Sequence, residues 1–140
     1  MIALDSSVIV AALLSWHNRH EAAARAVERA LSSKEGVLIP AHAVIEAFAV
    51  LTRLPAPHRL HPAVALELLR ENFASVRLAT LPARNVWPLV ERLSLLGLGG
   101  GIAYDAVILD SASEAGATSL LTLNERDYDR LDSGMRISAP

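Results

Sequence analysis

Five side chains with oxygen donors interrupt apolar stretches of this 140-residue sequence. They are Asp5 after IAL, Glu46 inside AVIEAFAVL, Asp105 inside IAYDAVIL, and Asn124 and Asp127 just after TSLLTL. Carboxylates gathered in one place repel one another unless protons or cations neutralise them. The chain has no cysteine and no tight histidine pattern, so its oxygen donors favour Mg2+ or Mn2+ over zinc. Such an ion keeps several waters and binds through one or two carboxylates together with substrate phosphate oxygens. It can activate water and stabilise both the attacking and the leaving oxygen of a phosphodiester. Metal-assisted phosphodiester hydrolysis is therefore the chemistry these residues could perform. Each acid also has a plainer reading. Asp5 can cap a helix, Asp105 can be a first-turn acid favoured by the helix dipole, and Glu46 can be an exposed surface acid. Asn124 and Asp127 can cap the short helix ERDYDRL. The joint arrangement is what points to a site.

Gathering these residues requires a particular set of elements. IAL at 2–4 reads as a short strand ending at Asp5, and SSVIVAALL as a helix with Ser6 or Ser7 placed to cap it. HEAAARAVERAL, 20–31, is an amphipathic helix stopped by Gly36, and VLIP, 37–40, is a second strand. AHAVIEAFAVLTRL, 41–54, is again helical, and the prolines of PAPHRLHP, 55–62, force a loop. AVALELLRENF reads as helix, VRLATL at 76–81 as strand, and ARNVWPLVERLSLL as helix despite Pro88. GLGGGIA breaks the pattern, YDAVILDSASEAG is a helix with Gly116 at its end, TSLLTL is a strand, and MRIS is a last edge strand. Strands alternating with helices of this length imply right-handed crossovers and a mainly parallel sheet. The functional crevice of such a sheet lies at the carboxyl ends of its strands, where Asp5, Asn124 and Asp127 fall.

Composition narrows the class. The length suits a single domain spanning 1–140, and 52% hydrophobic residues can bury a substantial core. No stretch approaches the length of a membrane span, and MIALDSSVIV has no basic leader, so a soluble cytoplasmic protein is expected. A net charge of −2 does not announce a nucleic-acid binder. Twelve of the thirteen basic residues are arginine, whose planar fork suits phosphate, although a GC-rich genome produces the same bias.

The chain resembles the PIN-domain ribonucleases, specifically the VapC-type toxins of bacterial toxin–antitoxin pairs. Three segments carry the resemblance in order: IALDSSVIVAALL, VLIPAHAVIEAFAVLTRL and YDAVILDSASEAGATSLLTLNERDYDRL. The resemblance implies the PIN fold, a three-layer α/β/α sandwich around a mainly parallel sheet. It makes Asp5, Glu46 and Asp105 the catalytic, metal-binding carboxylates. Asn124 falls at the family's fourth acidic position, where many members carry aspartate. That change weakens a second metal site, and Asp127 is placed to compensate. Ser7 and Thr122 would support the site by hydrogen bonds. The resemblance further implies cleavage of single-stranded or looped RNA of the tRNA or rRNA class, with Mg2+ or Mn2+ as cofactor. A cognate antitoxin and a homodimer are the partners expected from it. The alternative is a catalytically weak or inactive PIN-like domain that binds RNA or protein.

Other features carry less. GLGGGIA precedes a helix but follows no strand, so it fails the context of a dinucleotide loop and reads as a turn delivering Asp105. His17 and His20 have a spacing that can ligate metal, but they read more simply as a helix start. His58, Arg59 and His61 read as a solvated loop, and Arg19, Arg53 and Arg126 as candidate phosphate contacts. The apolar helices AVIEAFAVLTRL and AVALELLREN exceed what a small sheet needs, which leaves surface for a second copy or an antitoxin helix.

Overall fold

A computed structural model describes residues 1–140. Five short strands form one sheet: β1 (Ile2–Leu4), β2 (Val37–Pro40), β3 (Arg77–Ala79), β4 (Ser119–Leu121) and β5 (Arg136–Ser138). Their order is β3-β2-β1-β4-β5, and every neighbouring pair is parallel. Between them run α1 (Ser6–Leu13), α2 (His20–Leu31), α3 (Ala41–Arg53), α4 (Pro62–Phe73), α5 (Val86–Leu96), α6 (Ile102–Glu114) and α7 (Glu125–Asp129). Strand order grows outward from β1 through β2 to β3, then jumps back to β4 and β5 on the other side. Right-handed crossovers then put α1–α4 over one face of the sheet and α5–α7 over the other, the three-layer sandwich expected from the sequence. The direction of winding reverses between β1 and β4, and such a switch point opens a crevice at the strands' carboxyl ends.

The central strands are fully buried. Leu4, Leu38, Ile39 and Leu120 are closed to solvent and pack against Ile9, Leu51, Ile108 and Leu109 from the helices. Continuous apolar triplets in place of alternation follow from burial on both sheet faces. No helix is long and apolar enough to cross a membrane.

Local details depart from the sequence reading in a few places. The cap of α1 is Asp5, whose carboxylate accepts from the Ser7 backbone N–H at 3.4 Å; neither Ser6 nor Ser7 takes that position. Helix α6 begins at Ile102, two residues before the predicted start, because the chain turns at Gly100 (φ 69°) and is already helical at Gly101. The strands expected over 76–81 and 118–123 pair for only three residues each. The segment from Ala83 enters α5 through a 3-10 turn over Ala83–Asn85, so that Pro88 sits in the first turn of α5, where its missing N–H costs nothing.

Candidate active site

The site is built at the switch point. Asp5 leaves the end of β1, and its backbone N–H bonds the Leu121 carbonyl of β4 at 3.0 Å, which ties the two central strands together at their carboxyl ends. The Asp5 side chain is 1% exposed, and several donors hold it. Oδ2 accepts from Ser7 Oγ at 2.5 Å and from Thr122 Oγ1 at 2.8 Å. Oδ1 accepts from the Tyr128 hydroxyl at 2.7 Å. A buried carboxylate without such partners would be strongly destabilising. Ser7 Oγ also accepts from the Leu123 backbone N–H at 2.9 Å, and Thr122 Oγ1 accepts from that of Asn124 at 2.9 Å. The hydroxyls thus relay the turn after β4 onto Asp5.

Glu46 reaches the same place from α3, the helix that follows β2. Its Oε1 accepts from Ser6 Oγ at 2.7 Å, and that hydroxyl lies 3.5 Å from Asp5 Oδ1. Its Oε2 lies 3.7 Å from His42 Nε2, one helical turn earlier. Asp105 comes from the first turn of α6 and is half-buried. Its carboxyl is pushed up from 3.8 to about 7, first by burial and then by the negative charges of Asp5, Glu46 and Asp127. The four acids therefore share one electrostatic field. Tyr128 is held protonated, chiefly by burial and then by the adjacent Asp5 carboxylate.

The remaining sequence candidates divide. Asn124 stands at the start of α7, exposed, and its side chain makes no capping bond. Asp127 is half-buried on α7, near enough to raise Asp105. Arg126 belongs to the same helix, whereas Arg19 and Arg53 lie beyond or at the far ends of α1 and α3, which run away from the acids. His17 and His20 are used locally: Nδ1 of His17 accepts from the Arg19 backbone N–H at 3.0 Å, and Nδ1 of His20 lies 3.0 Å from the Ala11 carbonyl. His58 stacks on Trp16 with ring centroids 4.0 Å apart. Three contributors had no sequence signal as site residues: Ser6, His42 and Tyr128.

The donor set is one a cation would satisfy, although no three acids and histidines converge into a ready-made cage. Asp5 Oδ2 is filled by two hydroxyls while its Oδ1 takes one short bond, from Tyr128, and Asp105 is half-buried in the field of three other carboxylates. A hard divalent ion needs only one or two carboxylates when waters and phosphate oxygens complete its shell. The residues present fit such an ion, and Asp5, Glu46 and Asp105 are the carboxylates that could hold it.

Against this geometry the comparisons with known proteins are decisive for the family. The PIN domain family profile matches residues 2–134. The chain belongs to the PIN domain family. It is 42% identical over 134 residues to Ribonuclease VapC40 of Mycobacterium tuberculosis, with 94% of each chain covered. In fold it is similar to the crystal structure of Mycobacterium tuberculosis VapC20, described as a Sarcin-Ricin loop cleaving toxin. That comparison gives a TM-score of 0.71 at 18% identity, covering 92% of this chain and 94% of the other. VapBC2 from Rickettsia felis, solved bound to a DNA fragment from its promoter, gives a TM-score of 0.70 at 18% identity over 100% of this PIN chain and 99% of its own.

A second feature lies on the other side of α3. Val44, Ile45 and Phe48 of α3, with Leu66, Leu69 and Phe73 of α4, line a groove of about 350 Å³. This is the apolar excess that the sequence of these two helices foreshadowed.

Proposed function

We propose that this PIN-domain chain, a single domain over 1–140, is a Mg2+- or Mn2+-dependent endoribonuclease of the toxin–antitoxin type. The observation that carries the reading is the placement of acids at the carboxyl ends of the central strands: the Ser6 hydroxyl bonds Glu46 and lies 3.5 Å from Asp5, and Asp105 is pushed up first by burial and then by the charges of Asp5, Glu46 and Asp127. The relationship to Ribonuclease VapC40 over 94% of both chains supports RNA as the substrate. When bound, the ion supplies an activated water and stabilises charge on the phosphoryl oxygens. Asp105 and Asp5 would hold it, with Ser7, Thr122 and Tyr128 fixing the plane of the Asp5 carboxylate. Glu46, held by Ser6, would hold the ion with them or orient the attacking water. Asn124 offers a carbonyl oxygen without charge at the fourth position, so a second ion would be held more weakly there.

The partners proposed are an RNA substrate, a cognate antitoxin and a second copy of the chain, acting in the cytoplasm. The apolar groove between α3 and α4 suits an amphipathic antitoxin helix, whose apolar anchors would recur at helical spacing. The rival reading, RNA binding without cleavage, draws its support from the uncharged, exposed Asn124. Incubating purified, partner-free protein with end-labelled total RNA separates the two. Discrete cuts that need Mg2+ or Mn2+ and vanish in Asp105→Asn support the ribonuclease. Identical RNA patterns from wild type and variant under both metals support the inert binder.

A further inference from the structure

We propose that Tyr104, backed by His42, is a stacking surface for one nucleobase of the RNA beside the bond that is cut. The inference rests on the ribonuclease reading above and adds a residue that positions substrate. The His42 and Tyr104 rings lie 5.3 Å apart between centroids and within 7° of parallel. His42 comes from the first turn of α3 and Tyr104 from the first turn of α6, and each neighbours a site acid. His42 is one helical turn before Glu46, and Tyr104 immediately precedes Asp105.

Tyr104 is nonetheless 57% exposed. A ring whose task was to pack α3 against α6 would bury both faces. Here His42 stacks against the ring, offset, and more than half of Tyr104 stays open to solvent. The chain has only six aromatic residues. The two other exposed aromatics, Trp16 and Trp87, lie elsewhere, against His58 of the proline loop and on α5. Tyr104 is the exposed aromatic that adjoins the acids. The two tyrosines then divide the site: Tyr128 holds Asp5 from inside, and Tyr104 faces the solvent from which substrate must arrive.

Bases of single-stranded or looped RNA are unstacked and are commonly captured on aromatic or histidine rings. A stacking face next to the acids would set the angle at which the neighbouring phosphate enters. His42 acts as a positioning residue in this arrangement, since its ring fixes the plane of Tyr104 and its Nε2 faces Glu46.

The test is binding of a labelled single-stranded RNA cut by the protein, or of a tRNA anticodon-loop fragment if none is cut, measured in EDTA so that no hydrolysis occurs. Wild type, Tyr104→Phe and Tyr104→Ala are compared, on intact RNA and on a series carrying one abasic nucleotide at each position in turn. Loss of the ring is expected to weaken binding by about tenfold or more, the order that one base–aromatic stack supplies. Tyr104→Phe should bind within about twofold of wild type, because the stacking face is retained. One abasic position should weaken wild type and leave Tyr104→Ala without further loss. Equal binding by wild type and Tyr104→Ala overturns the proposal, as does a loss of the same size at every abasic position, which marks a structural role. Absence of measurable binding by wild type overturns it too. If wild type binds as expected but cuts no RNA under either metal, the nuclease reading fails and the stacking surface stands.

Discussion

Replacing Asp105 with asparagine should stabilise the metal-free protein, and by an amount that grows with pH. The Asp105 carboxyl is pushed up from 3.8 to about 7 by burial and by Asp5, Glu46 and Asp127. At about 1.4 kcal/mol per tenfold, that displacement corresponds to about 4 kcal/mol against the ionised folded state. The group is half-exposed, and solvent screening reduces this to about 1–2 kcal/mol. The native state keeps this proton up to about pH 7, whereas the unfolded chain releases it near its ordinary value. Between about pH 4 and pH 7 the native state therefore binds more protons, and wild-type stability falls as pH rises. Asparagine cannot ionise and is spared that loss. In EDTA, the advantage of Asp105→Asn should widen between about pH 5 and pH 8 by about 1 kcal/mol, or about 3 °C in midpoint for a chain this size. Thermal or urea unfolding at several pH values measures it. Millimolar Mg2+ should narrow the gap at the upper pH, where the carboxylate is free to bind, and leave it unchanged at the lower. A gap that stays constant or shrinks as pH rises would refute the argument that burial and neighbouring acids disfavour the charge on Asp105.

Three further substitutions have expected outcomes. Tyr128→Phe removes the donor to Asp5 Oδ1, and a change of this kind beside a metal ligand typically costs about 10- to 100-fold in metal affinity or activity, read by Mg2+ titration of cleavage. The same substitution should cost about 1–3 kcal/mol in unfolding free energy, since it leaves a buried acceptor short of a partner. Asn124→Asp adds a fifth carboxylate, at an exposed position, and should lower the Mg2+ concentration giving half-maximal cleavage, with little change in stability. Leu51→Ala in the closed core should cost about 2–5 kcal/mol while leaving the metal requirement of the remaining folded protein unaltered.

The strands and helices were legible because burial leaves a clear mark: IAL and VLIP are continuous apolar runs, SLL carries two adjacent leucines, and HEAAARAVERAL alternates with helical period. The acids were legible because each interrupts such a run. Tyr128 was not legible. It lies 123 residues from Asp5, and only the adjacency of β1 and β4 brings them together. Ser6 read as a helix cap, whereas the structure gives the cap to Asp5 and turns the Ser6 hydroxyl toward Glu46. His42 and Tyr104 meet through packing of α3 against α6, a pairing that periodicity within either helix cannot express. The start of α6 was misplaced because local propensity treats GLGGGIA as one break, while the backbone turns at Gly100 and is helical from Ile102.

The central claim is that the gathered carboxylates support metal-dependent cutting of RNA. Cleavage of end-labelled RNA by partner-free protein, with Asp5→Asn, Asp105→Asn and EDTA alongside, tests it most directly. The account predicts discrete cuts with Mg2+ or Mn2+ that disappear in both variants and on chelation. Cuts that persist in either variant, or an absence of cuts by wild type under both metals, would contradict it.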